Sequence, residues 1–351
     1  DRQKYPLKRG GERGVGQFTR VSWDEALYTV AAKLKRTKET YGASAILYWV
    51  GSGNQGSIHG GARIGELLLH HGGFTRTWGG ASYEASLFAS MSSYGTIRTG
   101  DSRDNLLFSK LIILWGWNPA NTIWDTNTSL YLSKAREAGI RIVSVDPIYT
   151  DTTAAFAQRW VPIRPGTDAA ALIAMAYVII KENLQDQAFL DRYTVGFAPF
   201  RDYVLGIEDG VPKSPAWAES ITGVPAATME RLAREYATMK PAALIAGWGP
   251  GRSAVGEQYH RAAIALAAMT GNVGVRGGNA AGFERAYSSR ETRASAAPRN
   301  PVEAGAKPRQ YSLHQLRGGT NPSSARIHQT KVFDAILTGK AGGYPADLKL
   351  A

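Results

Sequence analysis

The sequence predicts an α/β fold of mostly parallel sheets with helices on both faces. Three observations carry that expectation. Apolar runs, SAILYWV (44–50), LIILWG (111–116), IRIVSV (140–145), WVPI (160–163) and AALIAGWG (242–249), alternate with stretches of helical periodicity. Most of these runs empty into a polar or glycine-rich segment, as a buried parallel strand does on leaving its sheet. The 351 residues, 44% hydrophobic and 20% charged, supply material for a sizeable core.

In chain order, residues 1–20 carry Arg, Lys and Gly with few apolar positions. RGGERGVG (9–16) reads as a glycine-rich turn and FTRVSW as a short strand. Ser22-Trp23-Asp24-Glu25 is an S-x-x-E capping box, and Ala26, Leu27, Val30, Ala31 and Leu34 follow at helical spacing until Tyr41-Gly42. The strand at 44–50 ends in GSGNQG (51–56), and 64–71 is helical. TWGGASYEASLFASMSSY (77–94) turns at Gly79-Gly80 and continues as a helix over 82–92. Locally, Ser82 is either the N-cap of that helix, a place serine favours, or a side chain delivered to the mouth of a sheet.

The strand at 111–116 leads into the polar turn WNPANT and a helix over 125–138, ended by Gly139. The next strand stops at Asp146-Pro147. After 160–163 comes Arg164-Pro165-Gly166-Thr167-Asp168, where Thr167 or Asp168 caps a helix to about 182. Further helices cover 186–193, 225–239 with Pro225 near its first turn, and 255–270 before Gly271. From 271 to about 326 the chain is rich in Gly, Ala, Ser, Pro and Arg, longer than an ordinary connection. It is either a linker or a functional loop ordered by a ligand. A short helix over 329–337 follows.

Composition narrows the chemistry. With no cysteine, these residues make no disulfide, thiolate metal site, iron–sulfur ligation or cysteine nucleophile. The six histidines form no H-x-x-x-H pair, which argues against a histidine metal site. The net charge of +12 is spread without a basic run or interleaved aromatics. That argues against nucleic acid and leaves a phosphate-bearing ligand or a solvated basic surface. No apolar run approaches the ~18 residues of a membrane span.

Ligands of parallel sheets sit beyond the carboxyl ends of the strands, so the exit segments gather on one edge. GWGPGR (247–252) lies between a strand and a helix, where glycines let backbone approach a phosphate; a plain exit turn reads equally well. Asp146 suits an acceptor for a ribose hydroxyl. Asp168 suits a guanine edge or a helix cap. Arg164 and Arg252 stand beside glycine loops, where they pair with pyrophosphate or form surface salt bridges. No P-loop and no G-x-S-x-G elbow occurs, which argues against an α/β-hydrolase serine.

As an ordered set, these segments resemble the molybdopterin oxidoreductases of the dimethyl sulfoxide reductase family. YPLKRGGERGVGQFTRVSWDEAL (5–27), WGGASYEAS (78–86), LIILWGWNPANT (111–122), VSVDPIYTDT (143–152), WVPIRPGTDAAL (160–172), ENLQDQAFLDRYTVGF (182–197), AGWGPGRSAVGEQYHRA (246–262) and TGNVGVRGGN (270–279) stand in family order over nearly the whole chain. The likeness is greatest to the catalytic subunit of the anaerobic, membrane-associated reductases. The Tyr and Trp beside the metal loop of the soluble single-subunit enzymes are missing from GSGNQG, which points to the iron–sulfur-linked branch.

The resemblance implies a Rossmann-like central domain at 78–283 that binds molybdopterin guanine dinucleotide (MGD). It implies a discontinuous second α/β domain at 41–77 and 284–351, preceded by a segment at 1–40. It implies molybdenum held by two MGD, with Ser82 as the protein's metal ligand. Carried over by motif, cofactor contacts fall on Trp117, Asn118, Asp146, Thr150, Gly166, Asp168, Gly249 and Arg252. Asn272 and Asn279 lie in the glycine-rich return, and Ser52, Gly53 and Asn54 line the other side of the metal. The implied activity is reduction of an S-oxide or N-oxide by oxygen-atom transfer. Reductases of selenate or trimethylamine N-oxide are alternatives within the family. A nicotinamide-dependent dehydrogenase and a non-catalytic scaffold are the rivals outside that activity. The implied partners are an iron–sulfur electron-transfer subunit and a membrane anchor subunit, on the periplasmic side, with no nucleic acid. The chain begins at Asp1, not Met, and is expected to be the core of a longer protein. That protein would carry a [4Fe-4S] motif upstream and a cap domain beyond Ala351, and the piece alone would not be active.

Overall fold

A computed structural model describes residues 3–49, 62–80, 82–123, 127–284 and 326–350. Chain contacts divide them into two units, one built from residues up to Gly79 together with the C-terminal segment, the other starting at Gly80.

The first unit opens with an antiparallel hairpin, β1 (Leu7–Arg9) and β2 (Phe18–Arg20). Helix α1 (Trp23–Tyr41) starts where the capping box predicts: Ser22 Oγ accepts from the Glu25 amide at 3.1 Å. Gly42 ends it at φ 84°, a conformation only glycine adopts freely. The expected apolar stripe is only partly used. Leu34 packs on the core, whereas Leu27 and Val30 are exposed, because no described residue covers the first half of the helix.

A parallel sheet of order β3-β4-β9 follows, from β3 (Leu47–Tyr48), β4 (Thr75–Trp78) and β9 (Arg326–His328). Helix α2 (Ala62–His70) connects the first two strands. The strand expected over 44–50 is shorter: residues Ala43–Ala45 form a 3-10 turn, and the Ser44 carbonyl is taken by the Thr75 hydroxyl at 2.7 Å. Strand β9, which the pattern of residues does not announce, pairs in register Arg76↔Arg326 to Trp78↔His328.

The second unit is a four-stranded parallel sheet of order β7-β6-β5-β8. Its strands are β5 (Leu111–Trp115), β6 (Arg141–Val145), β7 (Arg159–Val161) and β8 (Ala242–Ala246). Alternation sets its two faces. Leu111, Ile113, Trp115, Val143 and Leu244 enter a large core with α6 (Asp168–Lys181), α10 (Ala226–Thr238) and α11 (Glu257–Met269). Ile112, Leu114, Ile142 and Ile245 face the opposite way, onto α4 (Thr128–Glu137) and α5 (Asp151–Phe156). All these strand residues are almost wholly buried, which accounts for their continuous apolar runs. At about 25 cal/mol per Å² of apolar surface, each large side chain on either face contributes roughly 1.5–3 kcal/mol. The fold class expected from the sequence is therefore the one observed. Helices α3 (Glu84–Tyr94), α7 (Gln187–Tyr193), α8 (Phe197–Leu205) and α9 (Pro215–Thr222) complete this unit, and α12 (Val332–Thr338) completes the first.

Candidate active site at the carboxyl edge of the sheet

The chain runs from β5 outward to β6 and β7, then returns to place β8 on the other side of β5. Such a reversal opens a crevice beyond the strand ends. Two exit turns flank it, Gly116-Trp117-Asn118 after β5 and Gly247 to Arg252 after β8. They are pressed together. The Gly247 amide donates to the Trp115 carbonyl at 2.8 Å, and any side chain at 247 would strike the Gly116 carbonyl. Gly116 itself has φ 58° and packs against the Pro250 ring. Gly249 is more open, with only the Gly116 carbonyl near its Cβ position, at 3.3 Å. Gly166, in the loop after β7, has φ 77° and faces only Ser253 at 3.9 Å. Three strand-exit loops therefore share one edge.

Ser82 reaches this edge by a tight turn at the start of α3. The Gly80 carbonyl accepts from the amides of Tyr83 (3.0 Å) and Glu84 (2.8 Å), and the Gly80 amide donates to Glu84 Oε2 at 2.8 Å. The N-cap position is held by Tyr83, not Ser82, without a side-chain cap bond. The local N-cap reading of Ser82 is thus overturned: Gly80 starts the turn earlier and Glu84 satisfies its amide. Among the described residues the Ser82 hydroxyl has no hydrogen-bond partner, while its carbonyl accepts from Arg252 Nε at 3.2 Å. The neighbouring Tyr83 ring meets Trp248 (5.4 Å) and Phe283 (5.7 Å), and the latter two stack at 5.3 Å and 8°.

Beneath the turns the electrostatics follow from burial. Asp168, the first residue of α6, is 4% exposed, and burial raises its carboxyl above the usual range. The Trp115 indole N–H donates to its Oδ1 at 2.9 Å and opposes that rise. Thr167 holds the N-cap position of α6 without a side-chain cap bond, because its hydroxyl donates instead to the Arg164 carbonyl at 2.6 Å, so the expected side-chain cap from Thr167 is absent. Asp146 is half-buried and raised by burial, with Oδ1 accepting from the Ile148 amide at 3.2 Å. His260 on α11 is fully buried beside Gly251 and Ala85, and burial pushes its imidazole down to about 3, keeping it neutral.

The remaining residues singled out by the sequence divide by position. Trp117 is half-buried under the Arg103 guanidinium, 5.0 Å from its ring. Asn118 Oδ1 accepts from the Thr152 hydroxyl (2.6 Å) and amide (3.2 Å), tying the β5 exit to α5. Thr150 caps α5, a helix the sequence reading passes over, by accepting from the Thr153 amide at 3.1 Å. Arg164 is turned toward the carbonyls of Ser220 and Ile221 at the end of α9. Asn272 is not brought to this edge. Its Oδ1 accepts from the Ala242 amide at 2.9 Å, at the opposite end of β8. Asn279 is buried, donating to Asp101 Oδ2 (3.2 Å) and Glu284 Oε2 (3.3 Å). Ser52, Gly53 and Asn54 lie outside the described residues. The sequence reading missed Glu84 and the ring trio of Tyr83, Trp248 and Phe283. A glutamate four residues after Gly80 was the available signal, since that spacing reaches back across one helical turn.

The profile of the molybdopterin oxidoreductase family matches residues 2–335. The chain belongs to the molybdopterin oxidoreductase family. Relatives of this chain include dimethyl sulfoxide reductase DmsA of Escherichia coli (strain K12), 42% identical over 309 residues, covering 82% of this chain and 38% of that protein. DmsA of Haemophilus influenzae is 40% identical over 329 residues, covering 87% and 40%. Trimethylamine-N-oxide reductase of H. influenzae is 34% identical over 287 residues, covering 78% and 34%. Among solved structures, acetylene hydratase from Pelobacter acetylenicus superposes with a TM-score of 0.56 at 27% identity, over 78% of this chain and 36% of that one. The chain spans less than half the length of these relatives. Membership implies molybdenum and a molybdopterin. The residues present fit a phosphate-bearing pterin in three respects: open backbone at Gly166 and Gly249, a guanidinium at Arg252, and a serine hydroxyl with no partner among the described residues.

Proposed function

We propose that this molybdopterin oxidoreductase chain forms the cofactor-binding core of a reductase acting on an S-oxide or N-oxide, with Ser82 as the protein's ligand to molybdenum. The observation that carries the reading is the bond from Arg252 to the Ser82 carbonyl, which joins the Ser82 turn to the exit turn of β8 at the reversal of strand order. The likeness to dimethyl sulfoxide and trimethylamine-N-oxide reductases supports the substrate class.

When bound, the molybdenum–pterin group supplies the two-electron oxygen-atom chemistry, and the protein supplies ligation, orientation and electrostatics. Ser82 Oγ would hold the metal. Gly249 and Arg252 would meet pyrophosphate, through open backbone and a charge-assisted donor. Asp146 would accept from a ribose hydroxyl, and Asp168, oriented by the Trp115 indole, from a guanine edge. The trio of Tyr83, Trp248 and Phe283 walls one side of the Ser82 turn with apolar surface and excludes water there. A second MGD, electrons from an iron–sulfur partner, a membrane anchor subunit and a periplasmic location complete the proposal by family likeness.

The test uses the full-length protein. Molybdenum and pterin are expected on metal analysis and fluorescence, and a substrate panel ranks S-oxides against N-oxides. Ser82→Ala should alter the molybdenum spectrum and lower turnover by more than ~100-fold, beyond the loss usual for groups outside the ligand sphere. Full turnover with an unchanged spectrum would remove Ser82 from the metal.

A further inference from the structure

We infer that Glu84 is a positioning residue for Ser82, fixing the backbone turn that presents the serine. The inference rests on the reading of Ser82 as the metal ligand. The turn is entered through Gly79 and Gly80, and Gly79 lies at φ 84°, so the glycines alone impose little order. What orders it is a set of bonds around Gly80. Its carbonyl receives the amides of Tyr83 and Glu84, and its own amide donates to Glu84 Oε2 at 2.8 Å. Glu84 thus closes the segment twice, through backbone and through side chain, with Ser82 between the two ends.

A third restraint acts on Ser82 directly. Turning the Ser82–Tyr83 peptide would swing the serine side chain, and it would break the Arg252 Nε bond to the Ser82 carbonyl. Tyr83 is held in turn by its ring contacts with Trp248 and Phe283. The Glu84 carboxylate is half-buried, sits in the first turn of α3 where the helix favours negative charge, and reaches back to an amide. A side-chain oxygen that accepts from the Gly80 amide closes the turn around Ser82, so its contribution is geometric.

Two substitutions separate these roles in the full-length holoenzyme. Glu84→Ala removes the acceptor and strands the Gly80 amide. Glu84→Gln replaces the carboxyl with an amide whose carbonyl still accepts from the Gly80 amide. For Glu84→Ala we expect about tenfold faster hydrogen exchange of the peptide spanning 79–84. We also expect a changed molybdenum electron paramagnetic resonance spectrum and a kcat about tenfold or more lower at near-constant KM. Glu84→Gln should restore the exchange rate and the spectrum. The inference is overturned if Glu84→Ala leaves both unchanged, or if Glu84→Gln behaves as Glu84→Ala, since an acceptor at this position would then not be what holds the turn. Ser82→Ala run alongside separates the two claims. If its spectrum is unchanged the ligand assignment fails, while if it shifts and that of Glu84→Ala does not, the positioning role alone fails.

Discussion

Trp115 and Asp168 show how a single pair sets the floor of the site. A carboxyl at 4% exposure must find a donor or stay protonated, and the Trp115 indole meets that need across 53 residues. The tryptophan also offers its carbonyl to the Gly247 amide and the Tyr259 hydroxyl, so one residue joins β5, β8, α6 and α11. Trp115→Phe keeps an aromatic ring and deletes the N–H. It should destabilise the second unit by roughly 1–3 kcal/mol, the usual cost of leaving a buried polar group short of its partner. Denaturant unfolding measures this, and an unchanged midpoint would show that the indole bond adds nothing. The acid residue at the helix start is visible in the sequence; the indole that meets it is not, because Trp115 reads simply as the last apolar position of a strand.

At the scale of elements, helix α1 is the plainest case of a local signal. Its start is written in Ser22 and Glu25, and its end in Gly42. Ser22→Ala should cost the first unit about 1 kcal/mol, read as a lower denaturation midpoint with an unchanged slope. Helix α5 is the counter-example. It is six residues long, too short for periodicity to declare itself, and its threonine cap looks the same as a threonine in a loop. Strand β9 is hidden for a related reason: three residues hold no pattern, and they become a strand only because β4 offers them a parallel edge. The long strands β5, β6 and β8 were readable because both faces are buried, and burial on both faces demands an unbroken apolar run.

At the scale of the whole molecule, the second unit is closed by a polar network rather than by apolar contact alone. Asp101, Arg103, Asn279 and Glu284 join the entrance of β5 to the return segment after α11. Burial first, and the neighbouring Glu284 second, lift the Asp101 carboxyl to about 6, against relief from Asn279 and Arg103. The sign follows from proton linkage. A free aspartate titrates near ~3.9, so between about 4 and about 6 the folded chain holds a proton that the unfolded chain releases. Stability from this group is complete below that window and declines as pH rises through it. Asp101→Asn should flatten the fall in melting temperature between pH 4 and 6.5; a parallel slope in wild type and variant would assign the pH dependence elsewhere.

The sequence alone determines the α/β class, the start and stop of helix α1, the long buried strands and the loops that leave them. These depend on neighbours within a few residues, where propensity, capping and periodicity act. Tertiary structure decides which loops meet. Only the strand order β7-β6-β5-β8 brings the exit turns of β5 and β8 together and sends Asn272 to the opposite end of the sheet. Only packing carries Arg252 to the carbonyl of Ser82, 170 residues away, and changes that serine from a nominal helix cap into a residue held in a clamped turn. A hydrogen bond depends on distance in space, and no local rule encodes the distance between residues that the chain separates so widely.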